Sequence, residues 1–128
     1  MSDSKYHKVL IADDEGLVSD MLSRKLTTGG FDVSIVKNGQ EVLDKLNKEK
    51  FDLLLMDLTM PEVDGFQVLT KLKELHNIMP IIVMSNLSQP EDVKKAKDLG
   101  AWNYIVKSSV NIKDIVEEVR QCILEHKC

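Results

Sequence analysis

Five short apolar runs, separated by segments of helical spacing, constrain the fold of this chain more than any other feature of its sequence. Most of the runs are continuous, which is typical of strands that are buried on both faces of a parallel sheet. The five runs are Val9–Ala12, Val33–Val36, Leu53–Met56, Ile81–Met84 and Trp102–Val106. Between them, apolar residues recur three or four positions apart, as they do in amphipathic helices. The alternation predicts five consecutive βα units.

Residues typical of helix ends lie between the runs. Gly29-Gly30 and Gly100 lie where helices should stop, and Asn38 and Ser88 each precede a glutamate by three residues, as helix-starting residues do. Because crossovers between parallel strands are right-handed, five βα units fold into a doubly wound α/β sandwich of three layers. Five strands favour the flavodoxin-like order 2-1-3-4-5, whose switch point lies between the first and third strands.

Length and charge limit the classes of protein to which the chain can belong. We expect residues 1–128 to form a single domain, with a core over about residues 7–125. Lysine and arginine number 17 against 21 aspartate and glutamate, and no basic block offsets the net charge of −4. Nucleic acid and anionic membranes are therefore disfavoured as partners. The apolar runs are too short to span a bilayer, and no signal peptide precedes them, so we expect a cytoplasmic protein.

Polar residues follow four of the five predicted strands. The first strand runs into Asp13-Asp14-Glu15, the third into Asp57, the fourth into Ser85 and the fifth into Lys107. Taken singly, each could be a solvated turn residue. The carboxyl ends of parallel strands meet at one edge of a sheet, however, and ligands bind there beside the switch point. Four such ends together favour a functional site.

These residue types suit phosphoryl chemistry. Carboxylates crowded at one edge repel each other unless a cation intervenes, and hard, anionic oxygen ligands suit Mg²⁺ or the similar Mn²⁺. A carboxylate beside Mg²⁺ can attack a phosphoryl group, because the metal screens the approach of two anions. Lys107 and the Ser85 hydroxyl would then bind the phosphoryl oxygens. The expected product is an aspartyl-phosphate.

Four motifs resemble those of the receiver domain of two-component response regulators. They are Val9–Glu15, Leu54–Gly65, Pro80–Ser85 and Gly100–Lys107. The D-x-x-M-P-x-x-D-G stretch, the paired acids and the late lysine form a specific combination that spans nearly the whole chain. The resemblance implies a phospho-accepting signalling protein similar to the stand-alone chemotaxis regulators. Such a protein catalyses its own phosphorylation and dephosphorylation but turns over no independent metabolite.

The resemblance also implies a role for individual residues. Asp57 would carry the phosphoryl group, while Ser85 and Lys107 would bind it. Tyr104 falls on the aromatic residue whose ring moves inward as the Ser85 hydroxyl is drawn away. The implied ligands of Mg²⁺ are Asp13, Asp14, Asp57 and the backbone carbonyl of Thr59.

The implied partners are proteins. A histidine kinase or a phosphotransfer protein would donate the phosphoryl group, and an effector would bind the face of the fourth helix, fifth strand and fifth helix. The fourth helix offers only Val93, Ala96 and Leu99 as apolar anchors, so it should shift at low cost. We expect a monomer or a weak, phosphorylation-linked dimer.

One position departs from the family pattern. Receiver domains usually carry proline after the lysine, joined by a cis peptide bond, whereas this chain has Ser108. A cis bond before a residue other than proline costs about 3–4 kcal/mol. The Lys107–Ser108 peptide is therefore either cis and held by its surroundings, or trans.

Four other classes of protein share some of these features. A haloacid-dehalogenase-type phosphatase needs a second aspartate at Thr59, and a flavodoxin-like cofactor carrier needs a phosphate loop where Asp13-Asp14-Glu15 would repel phosphate. A constitutive receiver-like interaction module and a receiver fragment of a longer regulator or hybrid kinase are also compatible with the chain. Because the last predicted helix ends at Glu125–Cys128 without a linker, a stand-alone protein is the simpler expectation.

Overall fold

Five parallel strands alternate with five helices along the chain. The computed structural model describes residues 7–87 and 89–126. The strands are β1 (Lys8–Ala12), β2 (Asp32–Val36), β3 (Leu53–Met56), β4 (Ile81–Ser85) and β5 (Asn103–Val106). The helices are α1 (Gly16–Thr28), α2 (Gly39–Lys48), α3 (Gly65–Glu74), α4 (Pro90–Asp98) and α5 (Ile112–His126). The strand order β2-β1-β3-β4-β5 confirms the prediction from sequence, and every strand pair is parallel.

The core lies on both faces of the sheet, so the molecule has three layers. Side chains along a strand alternate between faces, and β1 shows this directly. Val9 and Ile11 belong to the core cluster that contains residues of α1 and α5, whereas Leu10 and Ala12 belong to the cluster that contains residues of α2, α3 and α4. These four side chains are fully buried, as are those of Leu53–Met56 in β3. Burial on both faces explains why these strands read as continuous apolar runs.

The helix ends follow the local sequence. Gly30 and Gly100 have φ angles of +96° and +109°, the left-handed conformation that commonly ends helices. At the start of α2, Asn38 Oδ1 accepts a hydrogen bond from the Glu41 N–H at 2.8 Å, as the sequence predicts. The other predicted starting residue, Ser88, lies outside the described residues. Pro90 is the first residue of α4.

The fourth helix buries little of its surface. Ala96 is its one buried residue, and a single methyl group supplies little hydrophobic free energy. Two lysines add contacts with α3: Lys95 Nζ lies 4.3 Å from the centre of the Phe66 ring, and Lys73 Nζ donates to the carbonyl of Asp98 at 2.7 Å. The structure thus agrees with the weak attachment of α4 expected from its sequence.

No helix in the described ranges has both the length and the apolar character needed to cross a membrane.

Candidate functional site

The acidic residues that follow β1 and β3 lie side by side. The two strands are neighbours in the sheet, and the N–H of Asp57 donates to the carbonyl of Ala12 at 2.9 Å. Asp13, Asp14 and Asp57 can each offer one carboxylate oxygen, and these three atoms lie within 4.8 Å of one another. Asp13 and Asp57 are buried, whereas Asp14 is exposed. The cluster therefore has a buried side and a side open to solvent.

Lys107, directly after β5, reaches this cluster. Its Nζ atom lies 2.7 Å from Glu15 Oε1, 3.0 Å from Asp57 Oδ2 and 3.1 Å from Asp13 Oδ2. Burial opposes the charged form of the lysine, but the contacts with Glu15, Asp57 and Asp13 outweigh it and raise the pKa of Lys107. The ammonium therefore stays protonated at neutral pH and supplies the positive charge that crowded carboxylates require.

Asp13 has one satisfied and one unsatisfied carboxylate oxygen. Its Oδ1 atom accepts a hydrogen bond from the Glu15 N–H at 2.9 Å. Its Oδ2 atom is buried and makes no hydrogen bond of acceptable angle, although Lys107 Nζ lies within ion-pair distance. Burial raises the pKa of Asp13, and the hydrogen bond from the Glu15 N–H and the positive charge of Lys107 oppose that rise. An unsatisfied buried acceptor is costly, so this oxygen is a fitting ligand for a cation.

The donor set fits a hard divalent cation such as Mg²⁺. All the available ligands are carboxylate oxygens, and the exposure of Asp14 leaves room for the waters that Mg²⁺ retains. The Thr59 N–H donates to Asp57 Oδ1 at 3.2 Å, so Thr59 lies in the turn that follows the cluster. The structure brings Asp13, Asp14 and Asp57 together; metal binding by these three residues and by the Thr59 carbonyl stays a prediction.

Two glycines fix the loop that follows Asp57. A Cβ atom at Gly65 would lie 2.7 Å from the Asp57 carbonyl oxygen, and one at Gly39 would lie 2.1 Å from the Val63 carbonyl oxygen. The Gly39 N–H donates to that same carbonyl at 2.9 Å. The loop is thus held between the first residues of α2 and α3 at backbone contact distance. The position of the loop, and of Thr59 within it, depends on the absence of a Cβ atom at Gly39 and Gly65.

Ser85 and Tyr104 meet at the loop after β4. Ser85 is fully buried at the end of β4, and its Oγ atom accepts a hydrogen bond from the Leu87 N–H at 3.1 Å. The hydroxyl of Tyr104 donates to the carbonyl of Leu87 at 2.7 Å. Burial raises the pKa of Tyr104, which keeps the hydroxyl protonated as a donor. The backbone of Leu87 thus links the two predicted switch residues; their switching stays a prediction.

The peptide bond between Lys107 and Ser108 is trans, the second of the two alternatives that the sequence leaves open. Among the residues that the structure describes, no peptide bond is cis, so Lys107 and Ser108 are joined by a trans peptide. Lys107–Ser109 form a single turn of 3-10 helix. The trans geometry still delivers the Lys107 ammonium to Asp13 and Asp57.

Sequence reasoning missed the role of Glu15 in this arrangement. It treated Glu15 as part of an acidic turn, whereas the structure places its carboxylate closer to Lys107 than either aspartate. The one available signal was its position directly after the paired aspartates at the end of β1.

Comparison with known proteins agrees with this geometry. The family model of the response regulator receiver domain matches residues 9–120. The chain belongs to this family. Chemotaxis protein CheY of Treponema pallidum is 36% identical over 118 residues, which cover 88% of this chain and 80% of CheY. Response regulator RR06 of Streptococcus pneumoniae is 36% identical over 99 residues, 77% of this chain. The receiver chain spans 45% of RR06 and 24% of the regulatory protein GlrR of Escherichia coli.

Solved receiver domains share the fold. A CheY-like receiver domain of Methanospirillum hungatei superposes with a TM-score of 0.88 at 29% identity, covering 95% of this chain and 97% of that one. The BeF3-activated receiver domain of DrrB superposes with a TM-score of 0.82 at 26% identity, covering 94% and 98%. Receiver domains are phospho-acceptors rather than metabolic enzymes, and they bind Mg²⁺ at an acidic site. The cluster of Asp13, Asp14 and Asp57 fits such a site.

Proposed function

We propose that Asp57 is the phospho-acceptor of this receiver domain and that Lys107 and Ser85 bind the transferred phosphoryl group. One observation carries the proposal. Asp57 is 5% exposed at the carboxyl end of β3, its Oδ2 atom accepts from Lys107 at 3.0 Å, and the other two aspartates lie beside it. Asp57 accepts hydrogen bonds from Lys107 through Oδ2 and from the turn that follows it through Oδ1.

The proposed reaction transfers phosphorus from nitrogen to oxygen. A carboxylate oxygen of Asp57 forms a bond to phosphorus, the bond between phosphorus and the donor's imidazole nitrogen breaks, and its electron pair stays on that nitrogen. Lys107 donates hydrogen bonds to the phosphoryl oxygens as negative charge shifts onto them. In dephosphorylation, a water oxygen bonds to phosphorus, the Asp57 oxygen leaves, and phosphate and the free carboxylate result.

The acidic cluster supplies the metal site in this proposal. Asp13, Asp14, Asp57 and the Thr59 carbonyl would hold Mg²⁺, or Mn²⁺ in its place, and the unsatisfied Oδ2 atom of Asp13 supports this assignment. When bound, the cation screens the repulsion between the Asp57 carboxylate and the incoming anion.

The signal would pass from the site to α4 through the Leu87 loop. Binding of the Ser85 hydroxyl to the phosphoryl group would disturb its hydrogen bond with Leu87, and with it the bond from Tyr104. A differential interaction of a few kcal/mol is enough to shift a two-state equilibrium substantially. With Ala96 as its one buried residue, α4 offers little resistance to such a shift.

The proposed partners follow from the family. Receiver domains take phosphate from histidine kinases and act on effectors. We propose that a histidine kinase or phosphotransfer protein serves this chain, and that an effector binds the face of α4, β5 and α5. Trp102, which immediately precedes β5 and is 44% exposed, would contribute to that face. A weak dimer through the same face would be linked to phosphorylation.

Intact mass measurement tests the proposal. The protein is incubated with acetyl phosphate, with and without Mg²⁺, as wild type, as Asp57→Asn and as Asp20→Asn. Asp20 is an exposed residue of α1 and serves as the matched control. We expect one added phosphoryl group for wild type and Asp20→Asn in Mg²⁺, and none for Asp57→Asn. A folded wild type that gains no phosphoryl group in Mg²⁺ would indicate a constitutive interaction module instead.

A further inference from the structure

The carboxylate closest to Lys107 belongs to a residue without a role in the proposed reaction. Glu15 Oε1 lies 2.7 Å from Lys107 Nζ, compared with 3.0 Å for Asp57 and 3.1 Å for Asp13. The side chain of Glu15 is 54% exposed, whereas those of Asp13 and Asp57 are 0% and 7% exposed. Glu15 therefore contacts the ammonium from the solvent side, where a phosphodonor must approach.

The backbone of Glu15 is fixed on both sides of this side chain. Its N–H donates to Asp13 Oδ1 at 2.9 Å, and its carbonyl accepts from the Ser19 N–H at 3.2 Å. Glu15 is also the residue that precedes the first turn of α1. A fixed backbone holds the carboxylate within reach of Lys107, so the contact costs less conformational entropy than one between two mobile surface residues.

A phosphoryl group on Asp57 would need the same ammonium. Lys107 has three N–H donors, and three carboxylates already surround it. Phosphorylation adds a charge of about −1.5 to −2 and new acceptor oxygens beside it. Glu15 then competes for a Lys107 donor, and its charge repels an anion that enters from the solvent side.

We infer that Glu15 is a positioning residue that restrains Lys107 and thereby weakens the binding of a phosphoryl group at Asp57. The inference rests on the proposed function, because it concerns the same site. Glu15 sets how readily Lys107 leaves its resting contacts, and so it tunes the balance between the free and the phosphorylated chain.

Beryllofluoride, a non-covalent mimic of the phosphoryl group, tests this inference. Its dissociation constant is measured by calorimetry in Mg²⁺ that saturates every variant, as established by a separate Mg²⁺ titration. We expect Glu15→Gln to bind beryllofluoride about two- to five-fold more tightly than wild type, the ratio that corresponds to a partly exposed ion pair. Asp20→Asn, which removes the same charge from α1 without touching Lys107, should bind like wild type.

A third variant separates contact from charge. Glu15→Asp keeps the negative charge on a shorter side chain, so we expect an affinity between those of wild type and Glu15→Gln. A purely structural role for Glu15 would instead weaken binding in both variants. If wild type and Asp20→Asn bind beryllofluoride, and Glu15→Gln binds it no more tightly than wild type does, the inference is overturned. Failure of folded wild type to bind beryllofluoride at all would overturn the proposed function, and the inference with it.

Discussion

Replacing Gly65 with alanine tests how closely α3 must approach the residue that is proposed to be phosphorylated. A Cβ atom at Gly65 would lie 2.7 Å from the Asp57 carbonyl oxygen and 2.7 Å from the Cα atom of Leu58. Ordinary contact begins at 3.4 Å, so α3 or the Asp57 backbone must move by about 0.7 Å. Both neighbours are backbone atoms of buried residues, so no side-chain rotation can supply the space.

Two opposing effects set the expected change in stability. Overpacking a close-packed interior costs about 1–3 kcal/mol, whereas alanine favours a helix over glycine by up to about 1 kcal/mol. We expect the free energy of unfolding to fall by about 0–3 kcal/mol. The effect on phosphorylation should be larger, because moving the Asp57 backbone displaces its carboxylate from Lys107. A misplacement near 1 Å can cost about 100-fold in rate, so we expect a loss of at least about tenfold.

The assay pairs urea unfolding with the time course of phosphorylation by intact mass in Mg²⁺. Gly16→Ala is the matched control, because Gly16 is also the first residue of a helix and a Cβ atom there would have nothing within 4 Å. Gly16→Ala should keep the wild-type phosphorylation rate. If Gly65→Ala also reacts at the wild-type rate and unfolds at no lower urea concentration, the argument from close backbone contact is refuted.

Three further changes have expected outcomes. Asn38→Ala removes the cap of α2 and should lower the free energy of unfolding in urea by about 1 kcal/mol; an unchanged value would contradict the capping role. Tyr104→Phe loses the hydrogen bond to the Leu87 carbonyl, which should lower the free energy of unfolding by about 1 kcal/mol and shift the amide resonances of the Leu87 loop. Unshifted amide resonances would contradict this prediction. Hydrogen bonds from Lys45, which has the largest effect, and from Lys8 lower the pKa of Glu49 from 4.5 to about 2. Wild type should be more stable than Glu49→Gln, and the difference in free energy of unfolding should be complete above pH 4.5 and lost as the pH falls to about 2. A difference that does not change with pH would contradict this shift in pKa.

The strands were predictable because burial on both faces leaves a continuous apolar run. β1 and β3 are buried throughout the predicted runs Val9–Ala12 and Leu53–Met56. The start of β5 was less clear from sequence. Trp102 is apolar and begins the predicted run, but it precedes the strand and is 44% exposed, with its N–H donating to the Ile81 carbonyl. In the sequence, an apolar residue directly before a strand cannot be distinguished from an apolar residue inside it.

The site was predictable to the extent that topology alone positions it. Asp13, Asp57 and Lys107 each follow a parallel strand, so the strand order is enough to bring them to one edge of the sheet. The contact between Glu15 and Lys107 depends instead on the reach of two long side chains that are 92 positions apart. The trans peptide at Ser108 likewise depends on the local backbone path, which no residue pattern specifies.

The most direct test of the central claim is to locate the phosphoryl group. Borohydride reduces an aspartyl-phosphate to homoserine with loss of phosphate, and peptide mass spectrometry then identifies the altered position. After incubation of wild type with acetyl phosphate and Mg²⁺, we expect homoserine at position 57 and unaltered aspartate at positions 13 and 14. Homoserine at position 13 or 14, or none anywhere in protein that has gained a phosphoryl group, would contradict the account.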